Sequence, residues 1–331
     1  LASAAVREAF AADELQALYA QGAAMGDVEV ARLTLGGAAT FTGMYGGDAL
    51  TIGSATVAFG DRHVGSSKPV NVTGITLSGA DAGNYTLANT SGSGTANIVQ
   101  RASVSWSPSV YGDGVNWFDA NNWAGGALPD RNNVAAVVLG AAAVTYSNAV
   151  PADDAVLTSV TGSGSFTLAQ GTLTTSGGLS TSGFVQSGGV LAGTGGLTVG
   201  NSFSKTGGTL SLSGAVTITQ ASGNLVLSNN GALTFGNLLA SSGNISIDVA
   251  GGVTTLGTIS APAGSITGIA HSPMTIGGAV TAAHDIALTA GATGSPGYDL
   301  TLNAPVTSTG GGNIMLVGGD NVLQNTHVST N

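Results

Sequence analysis

Residues 184–199 read FVQSGGVLAGTGGLTV, and residues 203–218 read FSKTGGTLSLSGAVTI. Aligned nineteen residues apart, the two stretches place Phe184 on Phe203, Leu191 on Leu210, and Gly188-Gly189 on Gly207-Gly208. A fixed period near twenty residues is typical of stacked units, none of which can bury its apolar face alone. The pair therefore predicts a solenoid.

A second pattern extends this prediction from about residue 160 to residue 331. A triplet of the form apolar-x-apolar recurs after Asn, Asp or Ser, and its first apolar residue lies at positions 225, 245, 266, 286, 300 and 314. The first three steps, of 20, 21 and 20 residues, match one coil per repeat. The last two steps are only 14 residues each, which predicts an inserted turn or hairpin around GATGSPGYDL, residues 291–300.

The local chemistry of these repeats suits a coil of short strands. The apolar-x-apolar triplets can form strands with one inward face, and the many Gly and Asn residues supply turns with positive φ. Stacked coils would pair their backbones in parallel sheets along the axis. Asn224, Asn244 and Asn313 recur at one position of the coil, where they can form a side-chain ladder or act only as turn residues.

The composition excludes several classes of partner. Charged residues make up 7% of the chain, Gly accounts for 54 of 331 residues, and the net charge is −10. Lys and Arg total seven and none follows Lys205, so the clustered cations that bind nucleic acids, polyanions or anionic membranes are missing. The longest apolar run, Val134–Val144, is too short to span a bilayer.

The chain contains no Cys, which excludes disulfides, thiol catalysis and cysteine-ligated zinc. It starts at Leu1 without an initiator Met or a signal peptide. We therefore expect it to be a piece of a larger polypeptide.

The N-terminal residues 1–30 differ from the rest of the chain. Apolar residues from Val6 to Tyr19 follow helical spacing, and Gly22 would end the helix, so we predict one amphipathic α-helix over residues 3–24. Such a helix would either pack on its own domain or dock into a neighbouring chain.

Residues 31–101 alternate apolar and polar residues between turn residues, which predicts a small antiparallel β module. Residues 58–87 read AFGDRHVGSSKPVNVTGITLSGADAGNYTL and resemble the second half of YDG-type modules, also described among MBG-like modules. Val72–Leu87 is the most specific part of the resemblance. These modules repeat in very large bacterial surface and secreted proteins.

Residues 102–158 form a Trp-bearing connector, because Trp106, Trp117 and Trp123 lie within eighteen residues. Its W…NW…G..P pattern resembles the entry into the β-helical repeats of filamentous-haemagglutinin-like exoproteins. The resemblance implies a right-handed parallel β-helix over residues 159–331, secretion by the two-partner route, and an extracellular or outer-surface location. It also implies roles in adhesion, aggregation or biofilm.

The repeats contain few residues of the types that carry out catalysis. Carbohydrate-cleaving β-helices use carboxylate pairs, or calcium-binding Asp residues with a cationic base. After residue 160 the chain offers one cation, Lys205, and four scattered acidic residues, which are Asp248, Asp285, Asp299 and Asp320. We therefore predict no enzyme, no catalytic residue and no cofactor. The four histidines lack metal-ligand spacing, so no metal site is predicted; they are His63, His271, His284 and His327.

One segment could bind a ligand. Trp117 and Trp123 could stack on sugar rings while Asp119 and Asn121 bind the hydroxyl groups, which would make a glycan-contacting patch. Alternatively, the tryptophans close the apolar end of the first coil. Asp113, Asn116, Asp119 and Asn121 could hold calcium weakly or could simply cap turns.

Three functions remain open at this stage. The first is a structural rod or spacer that self-associates end to end into a fibre. The second is an adhesin module that binds a surface glycan or a neighbouring cell. The third, which the missing carboxylates disfavour, is a β-helical polysaccharide-processing enzyme.

Overall fold

The computed structural model describes residues 46–291 and 296–331, and it also gives the backbone of Ala5–Val6. The described residues form an all-β structure with two parts. One is a small module up to residue 98, and the other is a long parallel solenoid. Helical structure in the described residues is limited to four single-turn 3-10 segments: Ala82–Asn84, Ala120–Asn122, Ala124–Gly126 and Pro151–Asp153.

The small module is a three-stranded antiparallel sheet in the order β2-β3-β5. Its apolar core consists of Val57, Val70, Val72, Ile75 and Ala96. A two-residue strand β1 pairs in parallel with β4. The strands are β1 (Ala5–Val6), β2 (Thr51–Phe59), β3 (Gly65–Ser78), β4 (Thr86–Leu87) and β5 (Gly92–Ile98).

The helix predicted over residues 3–24 lies outside the described residues, except at Ala5–Val6. At those two residues the prediction is wrong, because their backbone is extended and pairs with Thr86–Leu87. Residues 7–45, which include the start of the predicted module, also lie outside the described part of the chain.

The parallel β-helix predicted from the repeats is confirmed. Its strands are β6 (Arg101–Ser105), β7 (Val134–Gly140), β8 (Ala143–Ser147), β9 (Ala155–Gly162), β10 (Ser165–Gln170), β11 (Thr172–Gln186), β12 (Val190–Gly193), β13 (Leu197–Lys205), β14 (Thr209–Leu212), β15 (Val216–Gln220), β16 (Leu225–Asn229), β17 (Leu233–Ala240), β18 (Ile245–Val249), β19 (Val253–Thr255), β20 (Ile259–Ala261), β21 (Ile266–Ala270), β22 (Met274–Ile276), β23 (Val280–Ala282), β24 (Ile286–Ala290), β25 (Leu300–Leu302), β26 (Val306–Ser308), β27 (Ile314–Gly318), β28 (Val322–Gln324) and β29 (Val328–Thr330).

Each coil contributes a strand to three faces in turn. Face A contains β8, β10, the ends of β11 and β13, and then β16, β18, β21, β24 and β27. Face B contains the start of β9, the start of β11, β12 and β14, and then the start of β17, β19, β22, β25 and β28. Face C runs from β6 and β7 through β15 and the end of β17 to β29.

The nineteen-residue repeat is reproduced residue for residue. Phe184 pairs with Phe203, Leu191 with Leu210, and Leu197 with Val216. The Gly-Gly pairs lie at corners of the coil where a larger residue would clash or would need a strained backbone. A Cβ on Gly188 would lie 2.2 Å from the carbonyl oxygen of Ala169, and Gly189 has a φ of +64°.

The two predicted 14-residue steps are wrong, because they assumed that Leu300 lies on the same face as Ile286 and Ile314. Ile314 stacks directly on Ile286 on face A, whereas Leu300 stacks on Met274 on face B. The same triplet pattern occurs on every face, so spacing alone misassigned it. The position of the predicted insertion is confirmed, because the longer connection lies between the end of β24 at Ala290 and the start of β25 at Leu300. Residues 292–295 of this connection lie outside the described part of the chain.

The parallel stack begins before the predicted start at residue 159. β6, β7 and β8 already pair in parallel with later strands. β7 and β8 do not form a pair with each other, because they lie on faces C and A. One apolar cluster extends from Val104 to Val306 inside the coils.

The described residues contain no helix with the length and apolar character that a membrane crossing requires.

Candidate functional site

The Trp-bearing segment adds one further level to face A at the N-terminal end of the solenoid. The backbone N–H of Trp117 donates to the carbonyl of Thr145 over 2.9 Å, and that of Thr145 donates to the carbonyl of Val115 over 2.8 Å. This pairing aims the indole of Trp117 along the axis, where its ring centroid lies 5.3 Å from that of Tyr146.

Both of the proposed glycan-stacking tryptophans are buried. Trp117 is 0% exposed and Trp123 is 2% exposed, and their rings meet edge to face with centroids 4.8 Å apart. The indole N–H of Trp117 donates to the carbonyl of Pro129, and that of Trp123 donates to the carbonyl of Trp117. Stacking on a sugar requires a ring face open to solvent, and neither ring offers one. Their positions fit the alternative, in which they close the apolar end of the first coil.

Asp119, which is half-buried, and Asn121, which is exposed, lie beside this aromatic cap. One carboxylate oxygen of Asp119 accepts from the backbone N–H and the side-chain amide of Asn121, and the other accepts from the N–H of Asp113. The segment's acidic side chains are therefore used to hold its own turns.

Asp113 organises the same loop. Its Oδ1 accepts from the N–H groups of Val115 and Asn116 over 2.8 Å and from the amide of Asn122 over 2.7 Å. These bonds, above all the one from Asn116, hold the pKa of the Asp113 carboxyl below its usual 3.8 because they favour the charged form. Oδ1 of Asp113, Oδ1 of Asn116 and both carboxylate oxygens of Asp119, which could ligate calcium, are thus engaged by the loop's own donors.

The most exposed large apolar side chains of this segment belong to two residues that the sequence analysis did not single out. Val110 is 92% exposed and Tyr111 is 84% exposed, at the tip of the loop. The loop is tied to the cap by Ser109, whose N–H donates to the carbonyl of Asn121, and by close packing of Gly112 against Asn122. The Gly-Asp-Gly turn that follows Tyr111 is the sequence signal that could have indicated an exposed tip.

The acidic residues of the repeats stabilise corners between coils. Asp285 accepts from the N–H of Asn313 over 2.7 Å, and Asp299 accepts from the N–H of Asn321 over 3.1 Å. Asp248 contacts His271, and Asp320 accepts from Gly297. The asparagines behave alike, since Asn224 accepts from the N–H of Asn244 one coil later. The side chains of Asn224 and Asn244 thus each bond the backbone of the next coil, whereas Asn313 takes part through its backbone N–H.

One cluster unites residues that are far apart in the sequence. His63 of the module and Asp130 and Asp153 of the connector each place a potential metal-ligand atom within 4.8 Å of the others. Arg62, however, is paired with Asp130, and Arg131 lies 3.1 Å from Asp153. The two guanidinium groups already neutralise the two carboxylates, so a divalent cation would bring excess positive charge. The arrangement suits an ion-pair network better than a metal centre.

Part of the small module matches a known protein family. Residues 26–92 match the YDG domain. The resemblance seen in Val72–Leu87 is therefore confirmed for this part of the chain. The matched range starts before the predicted boundary at residue 31 and ends at residue 92, although the sheet continues to Ile98 through the pairing of β5 with β3. No curated protein and no solved structure matches the chain.

Proposed function

We propose that this chain is a non-enzymatic, rod-like segment of a bacterial surface or secreted protein, with a structural or adhesive role outside the cell. The continuous apolar cluster that extends from Val104 to Val306 is the observation that carries the proposal. Each coil contacts mainly its neighbours, so the stack works as a linear spacer. With strands about 4.8 Å apart, the levels of face C from β6 to β29 span roughly 50 Å.

The YDG domain and the resemblance to filamentous-haemagglutinin-like exoproteins support the location and the adhesive role. Two-partner secretion and a part in aggregation or biofilm belong to this proposal and follow from the same resemblance.

The use of the polar side chains supports a role without catalysis. Asp285 and Asp299 bind backbone groups of the next coil, and Asp248 is paired with His271. Because an acid/base pair needs two carboxyl groups free to face one substrate, this arrangement favours a scaffold over a polysaccharide-processing enzyme.

Self-association is the proposed mode of assembly. In the last described coil, Val322 is 40% exposed, whereas Leu300, its partner in the preceding coil, is 0% exposed. An apolar strand edge of this kind pairs either with a further coil of the same protein or with another chain.

Electron microscopy of the purified 331-residue chain over a concentration series tests the proposal. Filaments that lengthen with concentration would support assembly into a fibre. Single short rods at every concentration would favour a spacer and contradict self-association. Turnover of acidic polysaccharides by the same material would overturn the non-enzymatic role.

Direct adhesion is the second candidate, and the exposed pair Val110 and Tyr111 favours it. An exposed tyrosine on a loop fixed by hydrogen bonds can stack on a sugar or pack on a protein at low entropic cost. We expect Tyr111→Ala to abolish binding to a glycan array or to target cells. Leu256→Ala is the control, because Leu256 is 67% exposed on a coil far along the chain. Equal binding by both variants would exclude this loop as the binding site.

A further inference from the structure

The YDG module and the solenoid have separate apolar cores in the described part of the chain. The core of the module contains Val57, Val70 and Val72, while the core of the solenoid begins at Val104. The chain that joins them passes through Val99, which is 62% exposed. Two units joined in this way move relative to each other unless their interface holds them.

Several polar contacts cross the junction. Arg62 pairs with Asp130, whose side chain is 0% exposed. The N–H of Val64 donates to the side-chain oxygen of Asn133 over 3.0 Å, and the amide of Asn133 lies 3.3 Å from Nδ1 of His63. On the linker, the side chain of Gln100 donates to the carbonyl of Asn132 over 2.9 Å.

This concentration of charge is unusual for a chain with so few cations. Lys and Arg total seven in 331 residues. Among the described residues, the ion pairs of Arg62, Lys68 and Arg131 nevertheless all lie within the segments 61–68 and 130–153, which meet at this junction. The contact between His271 and Asp248 is far away on the solenoid.

We infer that Arg62 and Asp130 form a charge clamp that holds the YDG module against the capped end of the solenoid, and that breaking the clamp lets the module swing about Val99–Gln100. The clamp is effective because the side chain of Asp130 is buried. A buried carboxylate without its counter-ion is strongly unfavourable, so the interface must open to let water reach Asp130. The solenoid does not depend on this pair, because its core and its ladders continue without it.

Trypsin gives a direct readout, since it cleaves only after Lys and Arg and Arg101 lies where the linker enters β6. The N–H of Arg101 donates to the carbonyl of Asn133, the residue whose side chain contacts Val64 and His63 of the module. The test is native-state cleavage of the whole chain after Arg101, followed by mass spectrometry, in wild type and in Arg62→Gln. We expect Arg62→Gln to accelerate this cleavage by about tenfold or more.

Lys68→Gln is the matched control. It removes the ion pair with Asp61, which lies inside the module, and it should leave cleavage after Arg101 unchanged. Arg62→Lys, which keeps the charge, should restore part of the protection. Equal cleavage rates in wild type and Arg62→Gln would overturn the inference.

A measurement on the wild-type protein guards against a misfolded variant. Raising the salt concentration screens the partly exposed Arg62 and should speed cleavage after Arg101, relative to an unstructured peptide standard. In Arg62→Gln the salt dependence should disappear while the thermal unfolding of the solenoid stays the same. A salt response of the same size in both proteins would contradict the clamp.

Discussion

Trp117 shows how single side chains end the stack of coils. Below it in the core, the rings of Phe166, Phe184 and Phe203 stack with centroids 6.3 and 5.9 Å apart. Trp117 meets Tyr146 and Phe166 edge to face and so covers the first of these rings. The bulk of an indole is what an open end of an aliphatic coil requires to exclude water.

Replacing Trp117 therefore tests the role of the cap. We expect Trp117→Ala to lower the free energy of unfolding by about 3–5 kcal/mol, because it leaves a large cavity in the core. Tyr111→Ala, at the exposed tip of the same segment, should stay within about 0.5 kcal/mol of wild type. Denaturant unfolding measures both values. Equal effects of the two substitutions would contradict the assignment of Trp117 to the core.

Asp113 predicts a pH dependence at the same end of the molecule. Its pKa in the folded protein lies below the usual 3.8, chiefly because the N–H of Asn116 donates to it. The carboxylate therefore contributes stability above that pH, and the contribution is lost as the pH falls through the lowered pKa. We expect the Tm of wild type to fall more steeply below about pH 4 than that of Asp113→Asn. Parallel curves of Tm against pH would refute this.

At the scale of elements, the ladder of face A is interrupted between β13 and β16, which belong to separate sheets. The step from Phe203 on face A to Leu225 is 22 residues, longer than the preceding step of 19. Side-chain amides replace the missing backbone partners there. Gln220 accepts from the N–H of Phe203 over 2.7 Å, and buried Asn229 both accepts from the N–H of Leu210 and donates to its carbonyl.

The side chain of Asn229 thus supplies the hydrogen bonds that a neighbouring strand would give to the backbone of Leu210. Asn229→Leu would leave both backbone groups of Leu210 unpaired, and we expect it to cost about 1–3 kcal/mol per buried unsatisfied group. Asn230→Leu is the matched control, since Asn230 is the exposed neighbour and its replacement should have little effect. Chemical denaturation of the two variants compares them, and similar stabilities would show that Asn229 has no such role.

Local periodicity accounts for what the sequence could predict about these elements. The pairing of Phe184 with Phe203 was readable because the whole coil repeats, glycines included. The assignment of Leu300 to face B could not be read in this way, because all three faces use the same triplet. Burial of Trp117 and the meeting of His63 with Asp130 depend on contacts between distant segments, for which spacing carries no information.

For the molecule as a whole, the coils stack in the register that the repeats indicate. Thr198 and Thr217 are partners in adjacent coils on face C, and Ser260 lies farther along the same face. Directly paired residues in a parallel sheet come close enough for a disulfide, whereas residues three levels apart, at roughly 14 Å, do not. The chain has no Cys of its own to interfere.

The most direct test is therefore oxidation of the double variant Thr198→Cys/Thr217→Cys, followed by trypsin. Lys205 lies between the two positions, so cleavage there separates them unless a disulfide joins the fragments. The stack predicts that the fragments stay joined on a non-reducing gel and separate after reduction. It also predicts that Thr198→Cys/Ser260→Cys, which spans the same cleavage site, gives separate fragments under both conditions. Separate fragments from the first variant, or equal linkage in both, would contradict the stacked solenoid.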